Sequence, residues 1–230
     1  MSIICIITAR GGSKRIPKKN IKEFCGKPII AYSIEAALKS KLFDEIMVST
    51  DSDEIAKVAI KYGANVPFMR SDTTSNDYAG TGDVLNEVIS EYKKSGREFD
   101  YMACIYPTAP FVTAEKLQDA YKLMVENQAD AVSPYVSFSF PPQRGYFIRE
   151  GKLVPFDIES LPKRSQDLEK IYHDCGQFYF YDCAVFSGRK KGNGKHIPIE
   201  IPESEVQDID NMEDWKLAEM KYKMMIGNEK

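Results

Sequence analysis

Two kinds of apolar spacing alternate along the first two thirds of the chain. "SIICIIT" (2–8) is an unbroken, β-branched apolar run, the pattern of a strand covered on both faces of a parallel sheet. In "KPIIAYSIEAALKS" (27–40) the apolar residues recur instead at helical spacing, placing Ile30, Ile34, Ala37 and Leu38 on one face. "EIMVST" predicts a second strand. "DSDEIAKVAIKYG" predicts a helix opened by an Asp51/Glu54 capping box and closed at Gly63, with Ile55, Val58, Ala59 and Tyr62 inward. The rhythm continues with strand "VPFM", a helix near "GDVLNEVISEYKKSG", strand "YMACIY", a helix near "TAEKLQDAYKLMVE" and strand "DAVSPYV".

Such alternation predicts an α/β fold: right-handed crossovers building a mainly parallel sheet with helices on both faces. Ligands of these sheets bind beyond the carboxyl ends of the strands. From about Ser137 the rhythm breaks. "FPPQRGYFIREGKLVPF" pairs two prolines with two apolar stretches around Glu150 and Gly151, which predicts a hairpin. Residues 137–172 are therefore expected to form an insertion between two parts of one domain, 1–136 and 173–230. "QFYFYDCAVF" and "HIPIEIP" are expected to rejoin the sheet, and a helix around "NMEDWKLAEMKYKMM", capped by Asn211, ends the fold. Only the tail "GNEK" is expected to be disordered.

Composition narrows the function classes. With Lys+Arg 31 against Asp+Glu 34 the formal charge is -3, so no global positive field exists to hold nucleic acid or an anionic membrane. The apolar start lacks a basic flank and is too short to span a bilayer, and no other stretch approaches that length; a cytoplasmic protein is expected. Five scattered cysteines with no C-x-x-C pair, beside two histidines, do not make a zinc site. Cys5 and Cys104 lie in strand-like runs and are expected to be buried thiols.

Against this acidic background "ITARGGSKRIPKKN" (7–20) stands out, because it places Arg10, Lys14, Arg15, Lys18 and Lys19 just beyond the first strand. Gly11 and Gly12 let the backbone turn and approach a ligand, and the cations can neutralise a polyphosphate. The loop is neither a Walker A sequence nor G-x-G-x-x-G. A solvated basic loop is the alternative. Far downstream, "VQDIDNMEDW" sets Asp208 and Asp210 two residues apart in extended chain, both on one side. Two hard oxygens there suit Mg²⁺ shared with a polyphosphate; capping of the following helix is the alternative. A second pair, Asp51 and Asp53, is accounted for by helix capping.

In these motifs the chain resembles the sugar-acid cytidylyltransferases, which activate nine-carbon keto sugar acids as CMP conjugates. "ARGGSKRIPKKN" is similar to the A-R-G-G-S-K-x-x-x-K-N loop of that family and "QDIDNMED" to its late D-x-D segment, with "VSTDSDEIAKVA", "PTAP" and "RSQDLEKIYHDCGQFY" between them in family order. The likeness covers residues 3 to about 218. It implies a Rossmann-like nucleotidyltransferase domain in which Arg10, Gly11, Ser13, Lys14, Lys19 and Asn20 hold the phosphates and ribose of CTP. Arg70 then lies near the cytosine, and Asp208 and Asp210 carry Mg²⁺. It also implies a homodimer, whose extension contributes Arg164 and Gln166 to the neighbour's sugar site.

The sialic acid branch reads Q-P-T-S-P-L-R and N-G-A-I-Y where this chain has "YPTAPFV" and "CGQFY". Tyr106 thus replaces a sugar-contacting Gln, and Val112 an Arg. "CIYPTAPF", "FPPQR" and "RSQDLEKIYHDCGQFY" are closer to the branch that activates pseudaminic acid, a bacterial surface sugar found on flagella. On that likeness Tyr106, His173 and Gln177 become sugar-site candidates, a structural hydrogen bond being the alternative for His173. The reaction implied is in-line attack of the sugar's anomeric hydroxyl on the α-phosphorus of CTP, with Arg10, Lys14, Lys19 and the aspartates as its machinery. Sialic or legionaminic acid as substrate, a glycosyltransferase using Asp51 and Asp53 for metal, and a non-catalytic nucleotide-binding module are the competing expectations.

Overall fold

A computed structural model describes residues 1–227. Strand β1 (Ile3–Thr8) leads through the basic loop into a small hairpin, β2 (Glu23–Phe24) and β3 (Lys27–Pro28), and helix α1 (Ile29–Ser40). Then come β4 (Glu45–Ser49), α2 (Asp53–Lys61), one turn α3 (Asp72–Ser75), α4 (Thr81–Lys94), β5 (Tyr101–Ile105), α5 (Ala114–Glu126) and β6 (Ala131–Ser137). The hairpin β7 (Tyr146–Arg149) and β8 (Lys152–Pro155) follows, and the chain returns as β9 (Tyr172–Asp174), β10 (Phe178–Asp182), α6 (Cys183–Phe186), β11 (His196–Glu200) and α7 (Met212–Gly227).

The sheet runs β11-β6-β10-β5-β1-β4, with β9 joined to β6. β4, β1 and β5 pair in parallel, as do β6 and β11, while β10 and β9 run antiparallel. Helices cover both faces, as the alternation predicts. The continuous apolar run of β1 is what makes this possible: Cys5 and Ile7 face the core under α1, α2 and α5, whereas Ile4 and Ile6 face α4. Cys5 and Cys104 are fully buried, as expected, and all five cysteines are unpaired.

Four local expectations are corrected. "VPFM" is no strand: the only pairing is a bridge from Met47 to Asn65, and Pro67 two residues on has no N–H to extend it. Helix α2 is capped by Ser52, whose Oγ accepts from Ile55 N at 3.5 Å, and not by Asp51. Leu38 lies at the margin of the α1 face and is 42% exposed. The last stretch of "QFYFYDCAVF" turns into α6, because Asp182 Oδ1 accepts from Ala184 N and Val185 N and starts a helical turn. Of the tail, Gly227 belongs to α7; the expectation for residues 228–230 lies outside the described residues.

The predicted hairpin is present, with Glu150 and Gly151 both at positive φ in its two-residue turn. It belongs to the segment between β6 and β9, which leaves and rejoins the sheet where Ser137 pairs with Tyr172.

A separate apolar cluster at the end of the sheet matters more to function. Ile16 of the basic loop, Phe24 and Ile29 beside it, Phe111, Ile209, and Trp215 and Ala218 of α7 are buried together. Phe24 packs edge-on against Tyr32, Trp215 and Tyr222 at ring separations of 5.5–5.7 Å. Truncating Trp215 to alanine is expected to cost about 3–5 kcal/mol of stability, read by urea denaturation, because α7 loses its principal anchor to this cluster.

Candidate functional site

A cleft of about 500 Å³ opens at the carboxyl ends of β1, β4 and β5. Thr8, Arg10, Ser13, Lys14, Arg15, Lys19 and Asn20 line one side, Arg70 and Tyr106 the floor, and residues 79–81 and Asp210 the remaining walls. Polar residues from segments far apart in sequence thus meet where an α/β sheet offers its ligand site.

The loop's shape follows from a few contacts. Gly11 N donates to Asp51 Oδ1 at 2.7 Å, and a Cβ at this glycine would lie 3.1 Å from Ser52 Cβ, so the close approach to the start of α2 favours glycine. Asp51, expected to cap α2, therefore holds the loop instead. Asn20 is buried and donates from Nδ2 to Arg10 O at 2.9 Å, fastening the end of the loop to its beginning. Between them Ile16 is sunk in the apolar cluster, which turns its cationic neighbours outward.

Lys19 reaches across to donate from Nζ to Ile209 O at 2.7 Å, joining residues 190 positions apart. Burial lowers its pKa, while the Asp210 and Asp208 carboxylates oppose that shift. Ile209 is buried in the same cluster as Ile16, so Asp208 and Asp210 flank it on the opposite side of the extended chain. Neither caps α7. That role falls to Asn211, whose Oδ1 accepts from Glu213 N and Asp214 N, and to Asp214, whose Oδ2 accepts from Asp210 N and Asn211 N. Asp210 pairs with Arg15 at 2.7 Å and lines the cleft; Asp208 is exposed beside it.

Among the described residues no three His, Cys, Asp or Glu side chains gather into a complete metal cage. Asp210 in the cleft wall, with Asp208 exposed two residues away and outside the lining, offers hard carboxylate oxygens that fit a hexacoordinate cation drawing its other ligands from a phosphate chain and water. The donor set suits that ion and no thiophilic one.

Asp77 bridges two more of the loop's cations, meeting Arg10 Nη1 at 2.7 Å and Lys14 Nζ at 2.5 Å, while Lys18 pairs with Glu54. Its two hydrogen bonds to Lys14 and Arg10 hold its carboxyl below the usual carboxylate range. An internal carboxylate thus engages the groups expected to hold phosphate. Arg70 is buried and donates to Ser49 Oγ at 3.0 Å and Ser49 O at 2.6 Å, which sets its guanidinium in the cleft floor; burial lowers its pKa.

Of the expected residues, Arg10, Ser13, Lys14, Lys19, Asn20, Arg70, Tyr106 and Asp210 share this cleft. Gly11 shapes it without lining it. Gln177 is buried behind it, donating from Nε2 to Glu205 O at 2.7 Å, while its backbone carbonyl receives Tyr106 N. Exposed His173 packs on Phe138 at 4.7 Å and hydrogen-bonds to Asp174 O. Arg164 pairs with Asp167, and Gln166 is exposed beside it in the inserted segment; neither lines the cleft of its own chain. Sequence reasoning missed Asp77 and Thr81, which lie in a stretch without periodicity, and, while counting Arg15 among the loop's cations, did not foresee its pairing with Asp210.

Residues 4–205 match the family described as Cytidylyltransferase. Over 226 residues, 97% of both chains, the protein is 42% identical to the pseudaminic acid cytidylyltransferase of Campylobacter jejuni subsp. jejuni serotype O:23/36. It is 35% identical to the CMP-N,N'-diacetyllegionaminic acid synthase of Legionella pneumophila, over 95% of each chain. Its fold is similar to that of a CMP:2-keto-3-deoxy-manno-octonic acid synthetase solved in complex with CTP, with a TM-score of 0.71, 17% identity, and coverage of 99% of this chain and 100% of that one.

Because Asp77 engages Arg10 and Lys14, the residues expected to hold phosphate, Asp77→Asn is expected to tighten binding of a nucleoside triphosphate on the order of a few-fold, measured by isothermal titration with CTP. Unchanged or weaker binding would show that Asp77 does not oppose the phosphates.

Proposed function

The chain belongs to the cytidylyltransferase family, and from that premise we propose that it couples CTP to pseudaminic acid, giving CMP-pseudaminic acid and pyrophosphate. The observation that carries this is the cleft in which Arg10, Lys14, Arg15, Lys19 and Arg70 gather opposite Asp210. Full-length likeness to pseudaminic acid cytidylyltransferases supports the choice of sugar.

In this reading Arg10 and Lys14 exchange Asp77 for phosphate oxygens, Ser13 and Asn20 border the phosphates and ribose, and Arg70 borders the base. Lys19, already fixed on Ile209 O, neutralises charge on the departing pyrophosphate. Asp208 and Asp210 would hold Mg²⁺, which when bound would supply charge withdrawal from the phosphates. The anomeric hydroxyl attacks the α-phosphorus in line, and positioning with charge neutralisation supplies most of the acceleration. Sugar enters against Tyr106.

The inserted segment supports a homodimer. Phe140, Ile148, Leu153, Phe156 and Ile158 are exposed on it, Ile148 at 79% and Ile158 at 73%, a density of apolar surface that a second copy would cover. Arg164 and Gln166 sit on that segment and would act in the partner's sugar site, with His173 and Gln177 supporting the strands beneath. Five unpaired cysteines and the absence of any helix long and apolar enough to cross a membrane, among the described residues, agree with a cytoplasmic enzyme.

Purified protein with CTP, Mg²⁺ and a panel of nine-carbon sugar acids is expected to release pyrophosphate fastest with pseudaminic acid. Preference for legionaminic or sialic acid would move the protein to those branches, and CTP binding without pyrophosphate would make it a binding module. Lys19→Ala is expected to lower kcat by about 10²–10³-fold with the fold retained and stability reduced by about 1–3 kcal/mol as Ile209 O loses its donor; near wild-type turnover would remove Lys19 from the mechanism. Charging the hairpin with Ile148→Asp and Leu153→Asp is expected to halve the mass seen by light scattering, whereas an unchanged mass would place the dimer contact elsewhere.

A further inference from the structure

Apart from one tight turn at 203–205, the segment between β11 and α7 that carries Asp208 and Asp210 is irregular, so its backbone has no ladder to enter. Side chains serve its carbonyls instead. Lys221 of α7 donates from Nζ to Glu203 O at 3.1 Å and to Val206 O at 2.7 Å. Gln177 Nε2 donates to Glu205 O at 2.7 Å, and Lys19 Nζ to Ile209 O at 2.7 Å. Val206 and Ile209 are buried in two different apolar clusters. The segment is thus pinned in place although it belongs to no regular element.

One further tie joins this segment to the wall of the cleft. Lys116, in the first turn of α5, pairs with Glu205 Oε2 at 2.6 Å while donating to Phe111 O at 2.7 Å. With side chains only 14% and 28% exposed, the pair is largely withdrawn from solvent screening. Phe111 belongs to the connection between β5 and α5, which begins with Tyr106, Pro107 and Thr108, all three lining the cleft. Gln177 makes the same junction, since its carbonyl accepts Tyr106 N at 2.8 Å while its amide holds Glu205 O. Glu205 is therefore gripped at its carboxylate and at its carbonyl by two residues that also hold the cleft wall.

We propose that Lys116 is a positioning residue: by clamping Glu205 to the connection between β5 and α5, it sets the place of Asp208 and Asp210 at the cleft. The inference rests on the reading that these aspartates hold the divalent cation beside the triphosphate. Lys116 itself does not line the cleft. Removing its ammonium leaves the Glu205 carboxylate half-buried without a counter-charge, which favours a turn of the segment toward water. That displacement enters at residue 205 and reaches Asp208 before it meets the Lys19 tie at Ile209. Arg10 and Lys14 on the basic loop, and Arg70 on Ser49, keep their partners. Loss of Lys116 therefore acts on the cation and spares the nucleotide.

The test uses the full-length protein, with the Kd for CTP read by isothermal titration in EDTA and again at saturating Mg²⁺. Tightening by Mg²⁺ in wild type that is lost when Asp208→Asn and Asp210→Asn are combined upholds the underlying reading. No tightening in wild type, or tightening that persists without the two carboxylates, sinks that reading and this inference with it. With the reading upheld, Lys116→Met keeps the aliphatic stem and removes the charge. It is expected to cut the tightening by Mg²⁺ on the order of tenfold, the low end for residues that orient metal ligands, while its Kd in EDTA stays at the wild-type value. Glu205→Ala is expected to match it, and Lys116→Met with Glu205→Ala to be no worse than either alone. Full tightening in Lys116→Met, equal weakening with and without Mg²⁺, or additive losses in the combined variant would each overturn the inference. Should Lys116→Met fail to fold, Glu205→Ala decides it by the same two titrations.

Discussion

The site depends on one apolar contact region that holds two oppositely charged segments face to face. Ile16 sits within the basic loop and Ile209 between the two aspartates, and both are buried in the cluster formed with Phe24, Ile29 and Trp215. Burial of Ile209 fixes the direction of its charged neighbours, since adjacent side chains in extended chain point to opposite sides. The hydrophobic effect, which carries no chemical specificity of its own, thereby aims Asp208 and Asp210, and buried Ile16 anchors the turn that carries Arg15. Lys19 completes the junction through Ile209 O.

Part of the charge at the site is paired internally before any ligand arrives. Asp77 satisfies Arg10 and Lys14, Asp210 satisfies Arg15, and Asp51 accepts the amide of Gly11. An acidic protein can in this way keep a dense cationic loop in one conformation without self-repulsion opening it. In the proposed reading, binding of a polyphosphate is an exchange of counter-anions at preset positions, with little loop reorganisation to oppose it. The same economy appears on the floor of the cleft, where buried Arg70 is fixed by Ser49.

Much of this was legible in the sequence because it lies in periodic or compositional patterns. The continuous run of β1 announced a strand buried on both faces, and the Gly-Gly step with its cations announced the ligand end of that strand. The paired aspartates were visible, and their alternative role was excluded once Asn211 and Asp214 proved to be the caps of α7. What stayed hidden depends on distance rather than pattern. Asp51 looked like a capping residue because it precedes a helix, yet the fold brings Gly11 within 2.7 Å of it. Asp77 lies in an aperiodic stretch, and only the return of the chain over the basic loop gives it partners. Gln177 and His173 share a motif with Tyr179, but Gln177 is buried just before β10 with its amide on Glu205 O, and His173 lies on β9, whose three residues are all exposed.

The most direct test of the account is a crystal structure with CTP and Mg²⁺. The triphosphate is expected between Lys14 and Lys19, with Asp77 displaced from Arg10 and a cation held at Asp208 and Asp210. A triphosphate bound elsewhere, or a cation held without either aspartate, would contradict it.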